Sequence, residues 1–361
     1  MEGHRGTTSD GGARVTRVLN QTRGPGHPDA VVFACDDGHL PFALFAADRI
    51  LRTEPDGRFD VMICMPDISN VPQRHLAGPV RFCQVDFAAL PEVPMVKAWI
   101  SNATYFRWVL PAAFDGQYRS LFYLDTDTYL ARAGIQRLFD SVDRPVPLAA
   151  VQDFQRYVFL DEKRKQKVEA KLRDLGGKNG EYYNAGVLLM QPEHFLAMDG
   201  TKRFFAAAVE NVKYLPIHRD QDQGAMNLAF ADDVIPLNPL YNWASRAWLN
   251  PPLVEEFKPY ILHFAGRGKP WNKQDDPYIA TFAPEYLKFL TREVPGYAPK
   301  TALDTADWRL ENPKYGIRIL DEIRTALYRR RFRRKLERAW NEDFEGKCAK
   351  MRAALAEATL G

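Results

Sequence analysis

Short, continuously apolar runs alternate with longer amphipathic stretches over the first two thirds of the chain. AVVFAC (30–35), FDVMICMPD (59–67), the stretch 80–85 and the run 121–124 lack the polar alternation of a half-exposed strand. They read as strands buried on both faces of a parallel sheet. Between them, a helical pattern opens at Pro41 and runs to Leu51, and a second covers SNATYFRWVL (101–110), with Pro111 just beyond it. PVPLAAV (145–151) and YYNAGVLLM (182–190) add two strands, the charged segment 161–180 a helix and a loop, and 204–212 a helix. This alternation predicts an α/β fold, a doubly wound, mixed but mainly parallel sheet flanked by helices. Residues 1–29, rich in Gly, Thr, Ser and Arg, are expected to be disordered, 30–290 to form the main α/β domain, and 291–361 a helical C-terminal extension. Within that extension Tyr328, Phe332, Leu336 and Trp340 recur at a spacing of four, so one helix face carries them.

Composition narrows the class. With 361 residues, 46% hydrophobic and 26% charged, the chain has ordinary globular content and length enough to bury a core. Cys35, Cys64, Cys83 and Cys348 are too few and too scattered for a disulfide framework or a zinc site, which fits a reducing cytoplasm. Residues 1–29 hold no apolar core of a signal peptide, and no later stretch offers the roughly 20 apolar residues that span a bilayer. Charge changes the picture at one place. Residues 324–338 carry a local charge of +7 against +3 for the whole chain, leaving the remainder at −4. A basic helix with an aromatic face suits an anionic bilayer, each surface cation contributing about 1 kcal/mol before screening. The expected location is therefore cytoplasmic, peripheral on the inner face of the cytoplasmic membrane. The competing use of the stripe is packing on the main α/β domain. Nucleic acid is excluded as a partner, because the rest of the chain is slightly acidic and shows no recognition fold.

Candidate chemistry concentrates in LFYLDTDTYL (121–130), where an apolar strand ends in Asp125 and Asp127. Ligands bind at the carboxyl ends of strands in open α/β sheets, and two hard oxygen donors there suit a divalent cation that carries a phosphorylated substrate. In isolation the same residues also fit a polar loop. They fit equally the D-x-D-x-T loop of haloacid-dehalogenase-like, Mg²⁺-dependent phosphatases, in which the first Asp is a nucleophile.

Four further stretches stand in order with YLDTD (123–127): FACDD (33–37), YYNAGVLLM (182–190), QDQGAMN (221–227) and HFAGRGKPW (263–271). Together they resemble glycosyltransferase family 8, retaining, metal-dependent enzymes with a glycosyltransferase-A-type fold. The resemblance implies transfer of galactose or glucose from a UDP-hexose to a saccharide or lipid-linked glycan acceptor, as in lipopolysaccharide or surface glycan synthesis. It makes Asp125, Asp127 and His263 the metal ligands, and a nitrogen donor among oxygens shifts preference from Mg²⁺ toward Mn²⁺. Gly266, Gly268 and Lys269 would close over the diphosphate; Arg267 has no assigned role. Asp36 would meet the uracil edge, with Asp37 a loop residue and Gly38 and His39 standing where an asparagine and a tyrosine commonly follow. Arg107 would reach the donor sugar and phosphate, Asp153 and Asn184 the sugar hydroxyls, and Asp222 and Gln223 the anomeric carbon. Gln223 is a poor nucleophile, which favours front-face attack over double displacement.

Two alternatives remain from other classes. A phosphatase leaves HFAGRGKPW unexplained, and a non-catalytic, membrane-associated sugar-nucleotide binder has no need of intact Asp125, Asp127, His263 and Lys269. Deleting residues 317–361 is expected to release the protein from vesicles while preserving donor hydrolysis.

Overall fold

The structure, a computed structural model, describes residues 16–87, 90, 93, 102–153, 162–178, 180–244, 250–266, 268–272, 276–297, 314 and 316–361. Its strands are β1 (Val18–Gln21), β2 (Asp29–Ala34), β3 (Asp60–Met65), β4 (Arg81–Val85), β5 (Ser120–Leu124), β6 (Thr128–Leu130), β7 (Ala149–Gln152), β8 (Tyr183–Met190), β9 (Ile235–Pro236), β10 (Trp243–Ala244) and β11 (Ile261–His263). The principal helices are α1 (Leu40–Thr53), α2 (Glu162–Leu175), α3 (Gly200–Asn211), α4 (Asp222–Phe230), α5 (Ala283–Glu293), α6 (Arg318–Asn341) and α7 (Phe344–Glu357).

The main sheet has eight strands in the order β1-β4-β3-β2-β5-β8-β7-β9, and a second sheet of three runs β10-β11-β6. The continuous apolar runs are explained by two cores. Val31 and Phe33 of β2 face one cluster with α1, while Ala30, Val32 and Ala34 face another built with Trp108, Phe204 and Phe230. Both faces of the central strands are thus covered, and their polar residues are confined to the strand ends. β2, β3, β4 and β5 are mutually parallel. β8 runs antiparallel to β5, with Leu124 opposite Val187. The carboxyl ends of β2 and β5 and the start of β8 therefore share one edge.

Three expectations are corrected. The segment read as a helix over 101–110 is a 3-10 helix, Asn102–Val109, followed by a short α-helix, Leu110–Ala113. Pro111 lies inside that second helix because the first turn has no use for the proline's missing N–H. Disorder through residue 29 does not hold either: β1 pairs antiparallel with β4, and the Thr22 N–H donates to the Phe82 carbonyl at 3.0 Å. An open sheet edge recruited a strand too short and polar to announce itself. Finally, the end of the chain is not a detachable appendage. Cys348, Met351 and Ala354 of α7, with Leu360, are buried in the same core as Val31 and Phe122. Leu360 bridges to Leu237, and its carbonyl accepts from the Asn238 N–H at 3.0 Å. Deleting 317–361 would open that core, so the deletion does not isolate a membrane function.

α6 presents the reverse of the usual amphipathic arrangement. Asp321 and Thr325 are buried, whereas Ile319, Leu320, Ile323 and Leu327, at helical spacing, are 67%, 43%, 51% and 49% exposed. Of the predicted aromatic stripe, Tyr328 and Phe332 stack with ring centroids 6.1 Å apart, and the Trp340 carbonyl accepts from Asn250 Nδ2 at 2.9 Å. Among the described residues no helix is long and apolar enough to cross a membrane.

Candidate active site

The shared sheet edge opens into a cavity of about 380 Å³, within the range of small-ligand sites. Asp125 follows β5 directly, and its N–H donates to the Gly186 carbonyl of β8 at 2.8 Å. A turn closed by Thr128, whose N–H and hydroxyl both donate to the Asp125 carbonyl, presents Asp127 two residues on. β6 then pairs with β11, placing His263 opposite Thr128, and the Phe264 N–H donates to the Asp127 carbonyl at 3.0 Å. Two separate sheets thus deliver three side chains to one point.

One donor atom from each of Asp125, Asp127 and His263 lies within 4.8 Å of the others. His263 Nε2 is 3.2 Å from Asp127 Oδ1 and 3.8 Å from Asp125 Oδ2. His263 Nδ1 is engaged elsewhere, 2.9 Å from Asn242 Oδ1. Two carboxylates and one imidazole nitrogen converging from a buried floor fit a divalent cation. Burial raises the Asp125 carboxyl, although Arg107 opposes it. Burial works the same way on Asp127, but there Lys269 and His263 outweigh it and hold the carboxyl below its ordinary range. Lys269 pairs with Asp127 and donates to the Phe264 carbonyl at 3.0 Å. Gly266 has φ +85, a left-handed turn that glycine adopts without strain, and it lines the cavity with Lys269. Arg267 lies outside the described residues.

Arg107 is no surface arginine. It is buried, 2.9 Å from Asp125 Oδ1 and 3.5 Å from Asp222 Oδ2, and its guanidinium lies 4.5 Å above the Tyr123 ring. It lines the cavity between the two carboxylates and ties them together. Asp222 opens α4, where a carboxylate is favoured by the helix dipole. Asn227, the last residue of QDQGAMN, pins α4 to β8 by accepting from the Tyr183 N–H and donating to the Tyr183 carbonyl. Next to Asp222, Gln223 donates to Asp153 Oδ2 at 2.6 Å and accepts from Asn184 Nδ2 at 3.0 Å. Asn184 and Gln223 line the cavity. Asp153 is buried, and by accepting from Gln223 it holds that amide in place. Cys35 and His39 line the cavity, and Asp36 between them directs Oδ1 to the N–H and Nδ1 of its neighbour His39, at 3.1 and 3.0 Å.

Gly186 and Asn242, which shape the metal end of the site, escaped the sequence reading. A Cβ at Gly186 would stand 2.3 Å from His263 Cε1 and 2.7 Å from Asp125 Oδ2, so only glycine fits there. The signal existed, since a glycine inside a strand pattern marks close approach. Asn242 carried none, standing in a stretch without regular periodicity.

The fold is of the glycosyltransferase-A type. The chain belongs to glycosyl transferase family 8, whose family model matches residues 30–275. It is 26% identical over 208 residues to general stress protein A of Bacillus subtilis strain 168, covering 54% of this chain and 67% of that protein. It is also similar to the galactosyltransferase LgtC solved with donor and acceptor sugar analogs, at TM-score 0.56 and 24% identity, over 75% of this chain and 98% of the other. The apo structure of the bifunctional glycosyltransferase WbbM matches at TM-score 0.53 and 19% identity, over 77% of this chain and 51% of the other. At these identities the two structures share the fold. With membership of the family, the phosphatase alternative falls.

Proposed function

We propose that the protein transfers a hexose, galactose or glucose, from a UDP-sugar to a saccharide acceptor with retention, in lipopolysaccharide or surface glycan synthesis. The observation that carries this is the opening of the Asp125–Asp127–His263 triad and the Asp222–Gln223 pair onto one cavity. A divalent cation held by the triad, Mn²⁺ in preference to Mg²⁺, would act as a Lewis acid on the leaving diphosphate. Lys269 adds positive charge on the same side, and the backbone at Gly266 admits close approach of a phosphate. On the other side, Asp222 supplies negative charge for an oxocarbenium-like transition state. Gln223 is held on both ends of its amide and is unfit to form a glycosyl-enzyme bond, which supports front-face attack with the leaving phosphate taking the acceptor's proton. Asp36 and His39, at the far end of β2, are the candidates for the uracil.

Calorimetric titration of UDP tests this directly. Binding in Mn²⁺ that disappears with a chelator is expected. No binding in either condition would sink the donor assignment, and UDP-galactose and UDP-glucose would then not be worth comparing.

A second reading concerns α6. Its exposed aliphatic stripe stands beside Arg330, Arg331 and Arg334, which are exposed as well. Apolar surface flanked by cations supports docking on an anionic bilayer, in keeping with a lipid-linked acceptor and a peripheral position on the inner membrane face.

A further inference from the structure

A single file of hydrogen bonds runs beneath the cavity from the sugar side to the metal side. Gln223 Nε2 donates to Asp153 Oδ2 at 2.6 Å, and Asn184 Nδ2 donates to Gln223 Oε1 at 3.0 Å. Asn242 Nδ2 donates to Asn184 Oδ1 at 2.8 Å, and Asn242 Oδ1 faces His263 Nδ1 at 2.9 Å. An amide can in principle be turned end for end, but groups of fixed polarity forbid it here. The Gly186 N–H donates to Asn184 Oδ1 at 2.9 Å and the Ala185 N–H to Gln223 Oε1 at 3.5 Å, so both oxygens are located by backbone donors. Asp153, when ionised, only accepts. With the Asn184 oxygen fixed, Asn242 must turn its NH₂ toward it and its own oxygen toward His263. His263 must then carry a proton on Nδ1, so Nε2 is the ring atom that faces Asp125 and Asp127 and the one free to give its lone pair to a metal bound between them. Asn242 and His263 are both buried, so water does not compete for these positions.

We propose that Asn242 is a positioning residue of the transferase: it locks His263 in the Nδ1–H tautomer that presents Nε2 to a metal, and joins that ligand to the amides of the sugar site. The role rests on the metal reading above. Partners of this kind commonly govern metal affinity by 10–100-fold, and a carboxylate serves as well as an amide oxygen. The two ends of Asn242 can therefore be separated. In Asn242→Asp the acceptor for His263 is kept, while an oxygen replaces the donor facing Asn184. In Asn242→Leu both bonds are lost.

The test is Mn²⁺ binding to the full chain by electron paramagnetic resonance, with electron spin echo modulation reporting the imidazole nitrogen on bound Mn²⁺. Asn242→Asp is expected to bind within about 3-fold of the unaltered protein with the nitrogen modulation intact, yet to transfer sugar more slowly because Asn184 is displaced. Asn242→Leu is expected to bind about 10–100-fold more weakly and to lose the modulation. Leu at wild-type affinity with unchanged modulation, or Asp as weak as Leu, overturns the proposal. Should the Leu variant not fold, Asp decides alone: retained affinity and modulation support the role, and a 10-fold loss overturns it. Absence of Mn²⁺ binding by the unaltered protein is a different failure, because it removes the metal reading and this role of Asn242 with it.

Discussion

At the scale of single residues, the site depends on what is absent as much as on what is present. Gly186 supplies no side chain, and the vacant volume holds the edge of the His263 ring and one oxygen of Asp125. Gly186→Ala must push one of them away, because the backbone carbonyl of Gly186 is already tied to the Asp125 N–H at 2.8 Å. Such overpacking costs about 1–3 kcal/mol in stability. The larger effect should be on the triad, with Mn²⁺ affinity falling by about 10-fold or more, as for other changes that misplace a ligand. Titrating Mn²⁺ into the variant checks it; unchanged affinity would mean the metal does not sit between His263 and Asp125. Asp127→Asn makes the complementary prediction. It removes a charge without adding volume, so metal-dependent UDP binding should vanish while the protein still folds, with a lower unfolding temperature from the lost pair with Lys269.

At the scale of elements, legibility in the sequence followed length and apolar continuity. β2, β3, β5 and β8 could be read because both faces are buried and the pattern has no interruption. β6, β10 and β11, of two or three residues each, are set by pairing with distant partners and carry no periodicity of their own. For the same reason His263 was legible as chemistry, through the glycines and lysine that follow it, but not as the end of a strand opposite Thr128. The chain end was misjudged for a different cause. α7 looks like one more charged helix, and its burial is decided by packing near the 3-10 turn Pro239–Tyr241, far away in sequence. Met351 tests that packing. It is 2% exposed, and Met351→Ala should cost about 2–4 kcal/mol, seen as a lower midpoint in denaturant unfolding. A cost below about 0.5 kcal/mol would show that α7 does not share the catalytic core.

At the scale of the molecule, charge and apolar surface are unevenly shared. The cavity gathers Asp125, Asp127 and Asp222 around Arg107 and Lys269, three carboxylates against two cations, an excess of negative charge that suits a metal ion. α6 gathers unbalanced positive charge on the outside, and turns Ile319, Leu320, Ile323 and Leu327 outward while burying Asp321 and Thr325. A helix that served only to pack on the domain would gain more by the opposite rotation, since full burial of an aliphatic side chain is worth roughly 1.5–3 kcal/mol and these, about half exposed, forgo a good part of it. The orientation is accounted for if the stripe meets a second apolar phase and the arginines meet its anionic surface. Two contributions are then separable in vesicle co-sedimentation. Ile323→Asp with Leu327→Asp should abolish binding to vesicles containing anionic lipid without lowering the unfolding temperature, because neither side chain is part of the core. Raising the salt from about 0.1 to 1 M, which shortens the screening length from roughly 10 to 3 Å, should weaken binding of the unaltered protein but not eliminate it. Binding that survives the double substitution would place the contact elsewhere on the chain. Binding equal on neutral and anionic vesicles would remove the arginines from it.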